Sequence, residues 1–249
     1  APNWIGIRVI INGEELDLHT CKVKSFRREL NMREGYLERT FVADIGDNRE
    51  VEVISRRFLS IVDDEIGAIR YTVKPLDFDA EVSLTPYLDG NVKNRDSNYG
   101  ETFWNIIRAE AGEGKAYLLS RTKKSNFLVS FSMEYDLFLD EKPVQAKASI
   151  IQKEGFVGNS MTQKLKAGET LSLCKYVSVV SSLNYNENTI VDAGRRSVAM
   201  AHQVKFDALF EAHREKWEEN WSHSDIIIEG DPAAQQGIRF NIFHLNQTY

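Results

Sequence analysis

The chain has 249 residues, of which 42% are apolar and 27% charged, so it has the composition of an ordinary globular protein and not of a disordered or fibrous one. Its formal net charge is −6 and its 31 basic residues are scattered, which excludes the basic stripe that binds nucleic acid. No apolar run approaches the roughly 20 residues that span a bilayer. We therefore expect neither nucleic acid nor a membrane as a partner.

The two cysteines bear on the cellular compartment. Cys21 and Cys174 lie far apart in the sequence, in a chain long enough to be stable without a disulfide. We therefore expect two free thiols and a reducing, cytoplasmic environment.

Short strands joined by tight turns are predicted for the first two thirds of the chain. Ile7, Val9 and Ile11 alternate along one strand, and Asn12-Gly13 is typical of a type I′ hairpin turn. Further strands are predicted at 23–30, 36–45, 50–55, 66–73, 80–88, 103–110, 115–120, 126–138, 144–152 and 170–181. This run of strands without interleaved helices predicts a mainly β fold, a large antiparallel sandwich.

Helical patterns follow after residue 188. Residues 189–221 predict a long helix with one break, and residues 225–229 predict a short strand. Asp231 and Pro232 then predict a helix start, with Asp as the N-cap and Pro at the first helical position. No stop signal follows, so we expect this helix to continue to the last residue. Its apolar stripe is Ile238, Ile242, Leu245 and Tyr249.

Aromatic residues in and after a polar loop are the candidate site. The loop runs from Asp89 to Gly100, and sugars bind by stacking on flat rings among amide and carboxylate groups. Tyr99, Phe103 and Trp104 are therefore the candidate substrate contacts. The alternative is that Phe103 or Trp104 packs in the core, because the pair opens a predicted strand.

The sequence predicts no catalytic residue and no metal ligand. Acidic residues such as Glu50 and Glu52 alternate along a strand and indicate a solvated sheet face. His202 and His213 lie on the long helix without the i, i+4 spacing of a metal-binding pair. The Gly112–Lys115 run resembles a phosphate cradle, but it joins two strands and opens no helix, which predicts a hairpin turn.

Several runs carry a resemblance to a known family. The most specific is QQGIRFN at 235–241; the others are 2–4, 26–32, 68–71, 96–99, 211–217 and 228–232. In these runs the chain resembles glycoside hydrolase family 65, which includes maltose, kojibiose, nigerose and trehalose phosphorylases and some hydrolases. The likeness covers nearly the whole chain.

The resemblance implies three regions. They are an N-terminal β super-sandwich, galactose mutarotase-like, over 1–183; a helical linker over 184–222; and the first helix of an (α/α)6 catalytic barrel over 223–249. It also implies that the sandwich lacks the family's first strands, which would leave an unpaired edge.

The implied reaction is phosphorolysis of an α-glucoside with inversion. A single Glu acts as general acid, inorganic phosphate is the co-substrate, and no cofactor takes part. The family's catalytic motifs match no position here, so the resemblance implies a scaffolding domain that is inactive alone, in a parent enzyme whose substrate is a disaccharide. A family-related hydrolase and a stand-alone carbohydrate-binding sandwich are the alternatives, and the oligomeric state is open, a homodimer included.

Overall fold

A computed structural model describes residues 1–93 and 101–248. The strands are β1 (Ile7–Ile11), β2 (Glu14–Glu15), β3 (Lys22–Asn31), β4 (Tyr36–Asp44), β5 (Glu50–Leu59), β6 (Ile66–Pro75), β7 (Ala80–Asp89), β8 (Trp104–Gly112), β9 (Lys115–Thr122), β10 (Leu128–Leu139), β11 (Lys142–Pro143), β12 (Ser149–Lys153), β13 (Phe156–Leu165) and β14 (Leu171–Ser181). The helices are α1 (Ile190–Val204), α2 (Phe206–Ser224) and α3 (Pro232–Asn246). The predicted mainly β fold is confirmed.

The strands form two antiparallel sheets. The large sheet has the order β3-β4-β5-β6-β14-β10-β9-β8, with β11 paired to β10, and the small sheet has the order β12-β13-β7-β1-β2. Their facing sides share a core that includes Phe41, Val53 and Leu173 from the large sheet and Leu84 and Met161 from the small one. Strands with a buried face alternate apolar and polar residues, which is the pattern that the sequence shows.

The helices α1 and α2 lie on the outer face of the large sheet. A second core forms there, in which Phe58 and Tyr176 of the sheet pack against Val198 and Phe206 of the helices. The predicted break in the long helix is confirmed at Lys205, whose φ of 72° no α-helix can contain. Among the described residues, no helix is long and apolar enough to cross a membrane.

A buried lysine ties the first residues of the chain to the large sheet. Lys175 of β14 is fully buried, and its Nζ donates to the carbonyl oxygens of Trp4, Gly6 and Tyr87 at 2.5, 3.0 and 2.7 Å. Burial lowers the pKa of Lys175, while the three acceptors satisfy its three N–H donors. This residue therefore fixes the spacing between the two sheets at one end of the sandwich.

Four predicted elements need correction. The segment 225–229 is not a strand, residues 144–148 lie outside β12, and β8 begins at Trp104 instead of Phe103. The last helix ends at Asn246, with Gln247 as its C-cap, although we predicted that it continues. The strand β13 was not predicted at all.

Other local predictions are confirmed. Asp231 caps α3 by accepting hydrogen bonds from the backbone N–H groups of Ala233 and Ala234, both at 3.0 Å. The run Gly112–Lys115 is the turn between β8 and β9, and the two cysteines are free thiols.

Candidate functional site

The predicted aromatic contacts are only partly described by the structure. Tyr99 lies outside the described residues. Phe103 precedes β8 and is 42% exposed, and its carbonyl oxygen accepts a hydrogen bond from the Lys123 N–H at 3.0 Å. Trp104 opens β8, pairs with Thr122 across to β9 and is half-buried. The exposure of Phe103 leaves its ring free for a ligand, so the sugar-contact hypothesis stays a prediction.

A concave site on the outer face of the large sheet has more of the features of a binding pocket. We call it the outer pocket; it has a volume of about 540 Å³ and lies between α1 and the strands β8, β9 and β10. The polar side chains that line it are Glu110, Lys115, Tyr117, Ser132, Glu134, Asp192, Arg195 and Arg196.

A glycine brings α1 close to the sheet beneath this pocket. The carbonyl oxygen of Gly194 accepts a hydrogen bond from the Ser178 hydroxyl of β14 at 2.6 Å. A Cβ at position 194 would lie 3.1 Å from Ser132 Oγ and 3.2 Å from Val180 Cγ2, closer than such contacts ordinarily are. The absence of a side chain at Gly194 therefore sets the height of the helix above the pocket floor.

Two buried hydroxyls at the outer pocket, Tyr117 Oη and Ser132 Oγ, lack a well-formed hydrogen bond to the described residues. The group beside Tyr117 Oη is the Glu110 carboxylate. Burial and the neighbouring Glu110 carboxylate raise the pKa of Tyr117, so its hydroxyl remains neutral. Because buried polar groups without well-formed hydrogen bonds are rare and costly, these two hydroxyls are candidate contacts for a bound polar molecule.

Charges of both signs surround the Tyr117 ring. The guanidinium carbon of Arg195 lies 4.3 Å from the ring centroid, and that of Arg108 lies 5.7 Å from it. Glu110 accepts a hydrogen bond from Arg108, which lowers the pKa of the Glu110 carboxyl. Balanced charges around an aromatic ring suit a neutral, hydroxyl-rich ligand better than a strongly charged one.

A histidine network borders the outer pocket at the junction of α1 and α2. His202 of α1 contacts Glu134 through Nδ1 and Asp136 through Nε2, each at 2.8 Å. Asp136 also accepts from Lys205 Nζ at 2.9 Å and from the Tyr176 hydroxyl at 3.1 Å. Hydrogen bonds to Asp136 and then Glu134 raise the pKa of His202 to about 9. We call these five side chains the His202 network.

The arrangement of these groups supports binding more than bond cleavage. Glu134 is engaged by His202, Glu110 by Arg108 and Asp192 by Arg195, so the three carboxylates of the outer pocket already have cationic partners. Among residues 1–93 and 101–248, no cluster of three His, Cys, Asp or Glu side chains could hold a metal ion.

Sequence reasoning missed the outer pocket and the His202 network. Tyr117 and Arg195 come from a strand and a helix far apart in the chain, and no local motif connects them. The only sequence signal was the place of Glu134 and Asp136 at alternate positions of one strand, which puts both on the face that receives α1.

Comparison with known proteins places this architecture in a family. A model described as "Glycosyl hydrolase family 65, N-terminal domain" matches residues 1–220. The chain belongs to this family. The family 65 match includes every strand of the described residues together with α1 and residues 206–220 of α2.

Several family 65 relatives of this chain are disaccharide phosphorylases by name. The chain is 36% identical to the maltose phosphorylase of Bacillus subtilis (strain 168), over 100% of its own length and 32% of the relative. It is 28% identical to the alpha,alpha-trehalose phosphorylase of Thermoanaerobacter brockii, over 97% of the chain and 32% of the relative. The chain thus spans about a third of the length of these relatives.

A solved structure supports the fold. A protein from the human microbiome, provisionally described as a kojibiose phosphorylase, superposes with a TM-score of 0.88. The match covers 100% of this chain and 32% of that one, at 24% identity. At this identity the likeness concerns the family 65 sandwich fold and not the substrate.

Proposed function

We propose that this chain is the scaffolding domain of an inverting α-glucoside phosphorylase, which cleaves maltose-like disaccharides with inorganic phosphate into glucose 1-phosphate and glucose. The phosphorylase names of its relatives support this proposal. A hydrolase parent would differ in its activation of water by a carboxylate, and the relatives named above favour the phosphorylase.

The observation that carries the proposal is the way in which the helices are fixed to the sandwich. An aromatic column runs along α2 and continues into α3: His213, Trp217 and Phe243 are all buried, and the rings of Trp217 and Phe243 stack with centroids 4.7 Å apart. The column begins on the sheet, where the Phe58 ring lies 4.7 Å from His213. A scaffold needs such a rigid connection between its own core and the helices that leave it.

This connection supports the domain organisation that we propose. Residues 1–183 form the sandwich, 184–222 act as the linker, and 223–249 begin the (α/α)6 barrel. The side of α3 away from the aromatic column leaves Phe240 45% and Leu245 59% exposed, as expected for a helix that packs against further helices of a barrel. The catalytic acid and the phosphate site would then belong to the parent's barrel.

Phosphorolysis assays on this chain and on the parent enzyme test the proposal. Each is incubated with maltose, trehalose, kojibiose or nigerose and phosphate, and glucose 1-phosphate is measured. We expect the parent to release glucose 1-phosphate from one of them and the isolated chain to release none. Release by the isolated chain would disprove the scaffold role, and phosphate-independent release of glucose by the parent would favour the hydrolase.

A second candidate function is carbohydrate binding at the outer pocket. Its support is a pair of buried hydroxyls, Tyr117 and Ser132, that lack a well-formed hydrogen bond to the described residues. Calorimetric titration of the chain with the same four disaccharides tests it, and Tyr117→Phe should weaken any binding about tenfold. The matched control is Tyr135→Phe, which removes a hydroxyl from the other face of the sheet. If Phe103→Ala or Trp104→Ala abolishes the binding and Tyr117→Phe does not, the site predicted from sequence is favoured.

A further inference from the structure

Three arginines line a groove between the two sheets. We call it the inner groove; its volume is about 650 Å³, and it lies at the end of the sandwich where the shared apolar core stops. Arg28 of β3, Arg39 of β4 and Arg57 of β5 line its large-sheet side. The opposite side is lined by Asn3, Ile5, Gly6, Ile7, His19 and Tyr87.

The strand register places the arginines on the face that points into the sandwich. Phe26 pairs with Phe41, and two residues further along Arg28 pairs with Arg39, so all four side chains share one face. Arg57 pairs with Leu37, which is two residues before Arg39 on that face. The two guanidinium groups of Arg28 and Arg39 are direct cross-strand neighbours, an arrangement of like charges that destabilises a sheet.

None of the three arginines has a carboxylate of the described residues within salt-bridge distance. Their neighbours on the outer face differ: Arg27 pairs with Glu29, and Arg56 pairs with Glu38 at 2.7 Å. Burial, together with the charges of Arg39 and Arg28, lowers the pKa of Arg57. The inner groove therefore concentrates positive charge for which the described residues provide no carboxylate partner.

Protection of a sheet edge does not explain this cluster. Inward-pointing charges can keep an edge strand from pairing with other chains. That purpose could account for Arg28 on β3, which ends the large sheet, but β4 and β5 are interior strands. A separate reason is needed for Arg39 and Arg57.

The rest of the groove has groups that suit an organic anion. Burial raises the pKa of Tyr71 to about 12, so its phenol stays neutral and can donate a hydrogen bond. Phe26 and Tyr87 supply aromatic surface. The Nζ of Lys175 is already held by three carbonyl oxygens, so among the described residues the arginines are the permanent positive charges that remain for an anion.

We propose that the inner groove binds a phosphate group, held by Arg28, Arg39 and Arg57, either as inorganic phosphate or as the phosphate of a sugar monoester. Guanidinium groups bind phosphate oxygens in pairs of parallel hydrogen bonds, and a phosphate dianion relieves the repulsion among the three cations. The inference rests on these arginines and is independent of the proposed function.

Calorimetric titration of the whole chain at low ionic strength tests the inference. The probes are inorganic phosphate and glucose 1-phosphate, with glucose and sodium chloride at matched ionic strength as controls. We expect saturable binding with a Kd of about 1 mM or tighter for at least one phosphate probe, and none for the controls. A preference for glucose 1-phosphate would identify a sugar monoester as the ligand, and equal affinities would identify inorganic phosphate.

Paired variants locate the binding. Arg57→Gln and Arg39→Gln should each weaken it about tenfold or more, because each removes charge-assisted hydrogen bonds. Arg27→Gln makes the same change of charge on the outer face and should leave the affinity unchanged. If Arg57→Gln impairs folding, as judged by circular dichroism, the exposed Arg28→Gln replaces it. Absence of saturable binding, or binding that survives both Arg39→Gln and Arg57→Gln, would overturn the proposal.

Discussion

His202 makes the stability of the chain depend on pH. Its pKa is about 9 in the folded chain and about 6.5 in an unfolded one, because the hydrogen bonds to Asp136 and Glu134 favour the imidazolium more than burial and the charge of Lys205 oppose it. The stabilisation is therefore fully present below pH 6.5, declines as pH rises and is lost above pH 9. We expect it to amount to about 2–3 kcal/mol for this partly buried group.

Urea unfolding of the chain and of His202→Gln at several pH values measures this effect. The difference in free energy of unfolding between the two proteins should be largest near pH 6 and small near pH 10. His223→Gln serves as the control, since His223 lies on the exposed end of α2. A difference that does not change with pH would show that His202 acts by packing alone.

Position 35 requires glycine because of both its backbone conformation and the side chains around it. Its φ is +72°, and a Cβ there would overlap the Trp217 indole and the His213 imidazole. We expect Gly35→Ala to lower the free energy of unfolding by about 3 kcal/mol or more, from backbone strain and overpacking together.

The matched control for Gly35→Ala is Gly168→Ala. Gly168 has a φ of +84° but no atom within 4 Å of an added Cβ, so only the backbone strain of about 1 kcal/mol remains. Thermal unfolding of both variants separates the two causes. Equal losses would mean that the contact with Trp217 does not limit position 35.

At the scale of the element, hairpin turns and the start of α3 could be predicted because their signals are local. Asn12-Gly13 takes positive φ at both residues, and Asp231 with Pro232 starts α3 as expected. The strand β13 lacked such a signal, since Gly158 and the buried Asn159 interrupt its alternation. Gly158 is there because a side chain would meet the Pro86 carbonyl of β7, a contact that only the folded sheet reveals.

The segment 225–229 has the composition of a strand but a different hydrogen-bond partner. The Gln235 side chain accepts from the Ile228 N–H at 2.7 Å and donates to the Ile226 carbonyl at 2.8 Å. A single amide of α3 thus replaces the neighbouring strand that the apolar run predicted. The candidate pockets were unpredictable for a similar reason, because register and helix docking bring their residues together from distant parts of the chain.

This interpretation predicts that Gln235→Ala detaches the segment 225–229 from α3 while α3 itself stays folded. Hydrogen exchange at the Ile228 amide should accelerate at least tenfold, because the hydrogen bond worth about 1 kcal/mol or more is lost. Gln236→Ala, on the exposed neighbouring position, should leave that exchange rate unchanged. Unaltered exchange in Gln235→Ala would show that other contacts hold the segment.

At the scale of the whole molecule, the two faces of α3 have different roles. Phe243 is 1% exposed and stacks on Trp217, so Phe243→Ala should cost about 3–5 kcal/mol in the stability of this docked region. Phe240 is 45% exposed, so Phe240→Gln should change the stability of this region by less than about 0.5 kcal/mol. Chemical unfolding followed by tryptophan fluorescence measures both, because Trp217 reports on the column. Comparable losses in the two variants would contradict the docking of α3 through Phe243, and with it the rigid connection on which a scaffolding role depends.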